Sequence, residues 1–288
     1  MIKSANSSIR ITLPIILLFL FSCGSTGQKQ TRYGEYYYYD LGIFYGSRGY
    51  YDQAIANFTK ALELDPKYVD AYVNRGFAYA DKGQYGEAIS DYTKALELDP
   101  KYIDAYINRG VAYANKVEYD QAISDYTKAL ELDPKRGIAY YNRGIAYGNK
   151  GQFDQAIADF TKALEIDPRY ADAYYNRGVA YADKGQYDEA IFDYTKALEI
   201  NPKYADAYIN RGVAYANKVE YDQAISDYTK ALEIDPQGAD AYNYRGIAYF
   251  FTKEYDKSWE DIKKAQDLGY LISPQFLDDL RKASGRQN

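Results

Sequence analysis

The sequence contains no histidine and only one cysteine, and these absences restrict the chemistry that the protein can perform. Zinc sites are usually built from His and Cys side chains, and Ser-His-Asp and Cys-His catalytic groups need an imidazole. Both classes of site are therefore excluded. Paired carboxylates are the one common catalytic chemistry that the composition leaves open, and we expect neither a metal nor a cofactor.

Positive charge is in the minority, with 35 Lys and Arg against 41 Asp and Glu and a formal net charge of -6. Nucleic-acid-binding domains normally carry a basic surface, so we do not expect nucleic acid as a partner.

Tyrosine is abundant, with 37 residues spread evenly along most of the chain. This even distribution favours a role in packing first and in ligand stacking second.

Residues 1–22 have the layout of an export signal. Lys3 and Arg10 precede the apolar run Ile11 to Phe21, and small residues follow it. This run is shorter than the roughly 20 apolar residues that cross a bilayer. The sequence from Leu20 to Cys23 resembles the lipobox of bacterial lipoproteins, whose cysteine becomes the lipid-bearing first residue of the mature protein.

The resemblance to the lipobox implies export, lipidation at Cys23 and anchoring in the bacterial cell envelope. Gly24 after the cysteine is compatible with the outer membrane, facing the periplasm or the surface. Phe21 is bulkier than the pattern usually has, and an ordinary signal peptide with an incidental cysteine is the alternative. Residues 23–34, rich in Gly, Ser, Thr and Gln, are expected to form a flexible tether.

The triplet Asn-Arg-Gly, first seen at Asn74-Arg75-Gly76, returns every 34 residues. A fixed period of this size, in repeats too short to bury a core alone, indicates a stack of small helical or strand units. A capping helix and a frayed tail are predicted over 271–288. The seven predicted repeats, spanning 35–270, are 35–68, 69–102, 103–136, 137–170, 171–204, 205–238 and 239–270.

Each repeat contains two amphipathic helical patterns, which in the second repeat are separated at Gly83. Glycine favours the left-handed conformation that ends many helices, and Pro100 stops the second helix. Val117 and Val219 stand at the position of this glycine in the third and sixth repeats. Because β-branched residues disfavour a positive φ, we expect a different turn there.

The repeats of this sequence resemble the tetratricopeptide repeat at its signature positions. In the second repeat they are Tyr72, Gly76, Tyr79, Ala88, Tyr92, Ala95 and Pro100. The resemblance covers most of the chain. It implies an all-α fold, an α-solenoid in which about seven helix-turn-helix repeats and a C-terminal capping helix form a right-handed superhelix. It also implies protein or peptide partners bound along the concave face, which the first helix of each repeat would line.

One departure from the family pattern is systematic. The residue before the signature glycine is commonly Leu, but only the first repeat keeps it, as Leu41, and the other six have Arg. Those six repeats also carry Asp in the second helix, where the first repeat has Asn57. Since a guanidinium at an apolar site needs a carboxylate partner, we predict one pair in each repeat. The pairs are Arg75–Asp91, Arg109–Asp125, Arg143–Asp159, Arg177–Asp193, Arg211–Asp227 and Arg245–Asp261.

The resemblance also implies that the exposed residues of each first helix face a ligand, and the helix register indicates which residues these are. This surface is apolar, acidic and rich in amides, so it favours a segment with basic and apolar side chains. Asp70, Asp104 and Asp172 have a simpler explanation as helix N-terminal residues that complement the dipole. The candidate binding residues are Asp70, Val73, Asn74, Phe77, Asp81, Asp104, Ile107, Asn108, Val111, Asn115, Tyr141, Asn142, Asp172, Tyr175, Asn176, Asp183 and Asn210.

Three functions follow as hypotheses. The first is a non-catalytic scaffold or assembly factor of the cell envelope. The second is a self-assembling envelope protein, a homo-oligomer that would use the aromatic stretch Tyr36 to Tyr39. The third is a carboxylate enzyme acting on cell-wall glycans, which we do not expect, because the acids recur at every repeat whereas catalysis needs one asymmetric pair.

Repeats one to three also recur as repeats four to six.

Overall fold

The computed structural model describes residues 34–286, and within this range it contains α-helices and turns but no strands. This all-α arrangement confirms the predicted fold class. The helices are α1 Gly34–Gly46, α2 Tyr51–Leu64, α3 Val69–Asp81, α4 Tyr85–Leu98, α5 Ile103–Asn115, α6 Tyr119–Leu132, α7 Gly137–Asn149, α8 Phe153–Ile166, α9 Ala171–Asp183, α10 Tyr187–Ile200, α11 Ala205–Asn217, α12 Tyr221–Ile234, α13 Ala239–Phe251, α14 Tyr255–Asp267 and α15 Pro274–Ser284.

The described residues divide into two compact units, with the boundary between Lys150 and Gly151. In the first unit, α1 pairs with α2, α3 with α4 and α5 with α6, and each pair packs on the next through α2, α4 and α6. The first helices also touch one another, α1 with α3, α3 with α5 and α5 with α7. Helices α3, α5 and α7 begin at the first residues of the predicted repeats.

The second unit is built in the same way. Helices α9 and α10, α11 and α12, and α13 and α14 form pairs, and α9, α11 and α13 contact one another in succession. The last helix, α15, lies on α14. Its Leu280 is buried, and the ring of Phe276 lies 5.4 Å from that of Phe250 on α13. This arrangement is that of the capping helix predicted within 271–288.

The glycine of the repeated triplet is needed because a tyrosine ring occupies the space beside it. A Cβ atom at Gly110 would lie 2.6 Å from Cε1 of Tyr126, and one at Gly212 would lie 2.6 Å from Cε1 of Tyr228. Both tyrosine rings are buried. The close approach expected at this glycine is therefore made between the two helices of one repeat.

The turns at Val117 and Val219 differ from the sequence-based expectation. Both valines adopt a left-handed conformation, with φ of 64° and 65°, as Gly83 does with 74°. The backbone N–H groups of Val117 and Glu118 donate to the carbonyl groups of Ala114 and Tyr113 at 2.9 Å. Gly83 and Gln84 make the same two bonds in the preceding repeat. The expectation of another turn is wrong, because these bonds satisfy the helix end and the valine side chain is 68% exposed.

Val117→Gly is expected to raise the free energy of unfolding by about 1 kcal/mol, because it relieves a non-glycine residue at positive φ. Urea denaturation followed by helical circular dichroism would measure this. The matched control is Gly83→Val, which places valine in the same turn of the preceding repeat and should lower the stability by a similar amount. Equal urea midpoints for Val117→Gly and the parent protein would contradict the claim that the backbone at Val117 is strained.

The amino-terminal predictions concern residues that the structure does not describe. The signal peptide 1–22, Cys23 and nearly all of the predicted tether lie outside residues 34–286. Within that range, none of the helices combines the length and the apolar character that crossing a bilayer demands. Export and lipidation stay predictions.

Candidate functional site

The arginine of the repeated triplet binds the aspartate on the second helix of its own repeat. Arg75 Nε donates to Asp91 Oδ2 at 2.8 Å, and Arg75 Nη2 donates to Asp91 Oδ1 at 2.7 Å. This two-bond geometry is the one that the sequence predicts. With distances from 2.7 to 2.9 Å it recurs in Arg109–Asp125, Arg177–Asp193, Arg211–Asp227 and Arg245–Asp261. The Arg143–Asp159 pair stays a prediction.

A second partner of this arginine was missed by the sequence reasoning. Arg75 Nη1 donates to Thr59 Oγ1, on the second helix of the preceding repeat, at 3.0 Å. Arg109 and Arg143 bond Thr93 and Thr127 in the same way, at 3.0 and 2.9 Å. In the second unit the corresponding bonds link Arg177, Arg211 and Arg245 to Thr161, Thr195 and Thr229. We call this set the Arg-Asp-Thr cluster, and it commits these arginines to the fold rather than to an anionic ligand.

The asparagines of the triplet also make contacts within the protein. Asn74 Nδ2 donates to the Tyr39 hydroxyl at 3.1 Å and to the Asp70 carbonyl at 2.8 Å, and Asn210 donates to the Tyr175 hydroxyl at 2.8 Å. Burial, followed by the charge of Asp70, raises the pKa of Tyr39 to about 12. Asn176 donates to the Asp172 carbonyl at 2.8 Å. The amide N–H groups of Asn74 therefore join two repeats and are not free for a peptide backbone.

Several predicted binding residues are buried, which corrects their assignment to an exposed surface. Val73 lies in a cluster with alanines of α5, and Ile107, fully buried, lies with alanines of α7. Asn108, Tyr141 and Asn142 are buried as well. The physical reason is the helix register, because this side of each first helix faces the next repeat instead of the solvent.

Two of the candidate acids bind the last residue of their own repeat. Asp70 accepts a hydrogen bond of 2.6 Å from the Tyr102 hydroxyl, and Asp104 accepts one of 2.7 Å from Arg136 Nη2. Tyr102 and Arg136 each immediately precede a first helix, α5 and α7. These acids therefore have a structural role, because each one holds the residue that leads into the next first helix.

Five of the predicted residues do come together around one pocket of about 230 Å³ in the first unit. They are Phe77, Asp81, Asn108, Val111 and Asn115. Ala80, Tyr85 and Tyr92 complete its lining, so the walls come from α3, α4 and α5. We call this the α3–α5 pocket.

Asp81 is the one charged side chain among the residues that line the α3–α5 pocket. Partial desolvation by the pocket walls raises the pKa of Asp81, while a hydrogen bond from the Tyr51 hydroxyl lowers it. Burial, and then the charge of Asp81, raises the pKa of Tyr92 at the floor of the pocket. The pocket thus offers aromatic and aliphatic contact with a single carboxylate at its edge.

Other surfaces have a different character. On α1, Tyr36, Tyr37 and Phe44 are about half exposed. Near the carboxyl end a shallow cavity surrounds Trp259, lined by residues of both charges and closed by an Asp256–Arg286 ion pair of 2.7 Å. Residues 34–286 contain no group of three His, Cys, Asp or Glu side chains placed to hold a metal ion.

Helix pairs of constant length, each joined to the next by the same polar contacts, define a helical repeat protein. Three family models identify the repeats as tetratricopeptide repeats. One matches residues 103–136, 171–204 and 205–237, a second matches 43–83, 78–117 and 149–185, and a third matches 125–158 and 227–260. Together they extend from residue 43 to residue 260. The chain belongs to the tetratricopeptide repeat family.

Solved structures agree with this assignment. YrrB, described as a TPR protein with an unusual peptide-binding site, is 30% identical over 64% of this chain and 95% of its own, with a TM-score of 0.55. MamA is 33% identical over 57% of this chain and 96% of its own, with a TM-score of 0.54. A tetratricopeptide repeat protein from Parabacteroides merdae ATCC 43184 is 23% identical over 88% and 99%, with a TM-score of 0.64, and shows the shared fold. The search of curated proteins gives no match.

The family and these structures support a protein-interaction scaffold. Tetratricopeptide repeat proteins are generally non-catalytic, and their fold suggests protein or peptide partners.

Proposed function

We propose that the protein is a non-catalytic scaffold or assembly factor of the bacterial cell envelope, and that it binds peptide segments on the exposed face of its first helices. The observation that carries this proposal is the α3–α5 pocket, where apolar and aromatic walls surround one carboxylate. The peptide-binding site named for YrrB, a relative of 30% identity, supports the same kind of ligand.

The chemistry of the pocket favours a basic residue with apolar neighbours. A volume of about 230 Å³ suits one long side chain. The methylene stem of Lys or Arg would lie against Phe77 and Val111 while its charged end reaches Asp81. Tyr85 and Tyr92 add aromatic rings that attract a cation. An acidic ligand side chain would face Asp81 and be repelled.

Phe77→Ala is expected to weaken the binding of a peptide with one lysine between leucines at the α3–α5 pocket by about tenfold, which corresponds to about 1.4 kcal/mol. Fluorescence anisotropy with the labelled peptide and the full chain would measure this, and the same peptide with glutamate in place of lysine should bind far more weakly. The matched control is Phe192→Ala, which removes an aromatic side chain 57% exposed on the second helix α10. Equal losses in both variants would contradict the pocket.

The envelope location rests on the sequence of residues 1–23. Cys23→Ser is expected to move the protein from the membrane fraction to the soluble fraction of the cell, because it removes the atom that would carry the lipid. Cell fractionation with detection by antibody would measure the distribution. Substitution of Ser22 by Ala leaves this cysteine in place and is the control. An unchanged membrane share in Cys23→Ser would refute the lipid anchor.

A further inference from the structure

We propose that the protein has two corresponding ligand pockets, the α3–α5 pocket of the first unit and a second pocket formed by α9, α10 and α11 in the second unit, and that each takes one basic side chain. This inference rests on the proposed function. It adds a second site, with Asp183 as the counterpart of Asp81, and it sets a binding stoichiometry of two.

The acid at this position marks two repeats among the seven. Asp81 ends α3 in the second repeat, and Asp183 ends α9 in the fifth. None of the other repeats has an acid here. Their residues are Ser47, Asn115, Asn149, Asn217 and Phe251. An acid-containing pocket can therefore form in one place in each unit.

Helix stability does not explain these two aspartates. Both lie at the C-terminal end of a helix, where the macrodipole disfavours a negative charge. The lysines that follow them do not neutralise them either, since Lys82 binds Asp52 and Lys184 binds Asp154, each at 2.5 Å. The neutral Asn of the third, fourth and sixth repeats is the better structural choice. A ligand cation gives the acid a reason to be there.

The surroundings of Asp183 match those of Asp81. Helices α9, α10 and α11 contact one another as α3, α4 and α5 do. Tyr194 is buried to 1% exposure, as Tyr92 is, and burial followed by nearby charges, including that of Asp183, raises its pKa. Asn217 Nδ2 donates to the Val213 carbonyl at 2.9 Å, which repeats the Asn115 to Val111 bond of 2.9 Å. The floor and the far wall of the pocket are thus reproduced.

The two pockets differ in several contacts, and two of the differences set their preferences apart. Val179 stands in place of Phe77, so the wall of the second pocket is smaller. Phe153 stands in place of Tyr51, whose hydroxyl bonds Asp81, so the ring at this position offers Asp183 no donor. We expect the second pocket to accept the bulkier arginine better than the first pocket does.

The test is isothermal titration calorimetry of the full chain with a capped peptide that carries one lysine between leucines. The parent protein should bind two peptides per chain. Asp81→Asn and Asp183→Asn should each leave one site, and the double variant should show no binding above the level of the glutamate peptide. Asp222→Asn, which changes an exposed acid at the start of α12, is the control and should retain two sites. Circular dichroism would confirm that each variant is folded.

The outcomes separate the two proposals. One peptide per chain, lost on Asp81→Asn and unaffected by Asp183→Asn, would overturn the second pocket and leave the proposed function standing. No binding by the parent protein to lysine, arginine or glutamate peptides would overturn both. Two sites that respond separately to the two substitutions, with the arginine peptide favouring the site lost in Asp183→Asn, would establish the inference.

Discussion

Arg109→Leu is expected to lower the free energy of unfolding by about 3–5 kcal/mol, the cost of removing one partner from a buried ion pair. Asp125 is 5% exposed and accepts two bonds from Arg109. Burial raises the pKa of Asp125, and the hydrogen bonds and charge of Arg109 oppose that rise. Without the arginine, the carboxyl group of Asp125 is still buried and desolvated, but it no longer has the hydrogen bonds and the positive charge that offset this cost. Urea denaturation followed by circular dichroism would measure the loss.

The first repeat supplies the matched control, since it has Leu41 and Asn57 at these two positions. In that repeat Asn57 Nδ2 donates to the Gln53 carbonyl at 2.7 Å, one turn back on its own helix. The double variant Arg109→Leu with Asp125→Asn should therefore recover most of the stability. Thr93→Val, which removes only the hydroxyl partner of Arg109, should cost about 1 kcal/mol. A double variant as unstable as the single one would show that the ion pair is not the cause.

Alkaline pH is expected to unfold the protein between about pH 10 and pH 12. Burial, then neighbouring acid charge, raises the pKa of Tyr39 and of Tyr175 to about 12. Below about pH 10 these phenols are neutral in both states, and they do not make stability depend on pH. Above it the unfolded chain loses their protons first, so unfolding is favoured until the folded groups also ionise. Each shift of about two pKa units removes about 2.7 kcal/mol by pH 12.

Several other tyrosines add to this loss, because burial also raises the pKa of Tyr92, Tyr126, Tyr194 and Tyr228. The measurement is a pH titration in which tyrosinate absorbance and helical circular dichroism are followed together. We expect a steep joint transition, reversed on return to neutral pH. If all tyrosines ionised near pH 10 with the helices intact, their burial would make no such contribution.

Comparison among the repeats explains why the sequence predicted the Arg-Asp pairs. Arg and Asp change together to Leu41 and Asn57 in the first repeat, so the two positions could be linked without any structure. The threonine partner was not found, because a hydroxyl on an exposed helix face is common. Its role depends on the distance between successive second helices, which the repeat period does not specify. Its return at Thr59, Thr93 and Thr127 was the available signal.

The candidate binding surface was predicted less well than the helices. Helix boundaries follow from glycine, proline and the apolar period, which are local properties. Whether Val73 or Phe77 faces a ligand depends on how far the next repeat covers the first helix, which is a property of the stack. Val73 proved to be buried, whereas Phe77 lines the α3–α5 pocket. The turn at Val117 was mispredicted because two hydrogen bonds outweigh a local preference.

The Arg-Asp-Thr cluster has a direction, and this direction allows the chain to change length by gene duplication. Each arginine reaches back to the threonine of the repeat before it, and each repeat offers its own threonine to the arginine that follows. The first repeat has Leu41 in place of the arginine, and the seventh repeat has Lys263 in place of the threonine. Each of the two outermost repeats therefore lacks one of the two residues that form the link. A duplicated block of whole repeats has an unpaired arginine in its first repeat and an unpaired threonine in its last repeat. Its insertion between two internal repeats would give each new arginine the threonine that it needs, so the link is compatible with the near-copying of three repeats as the next three.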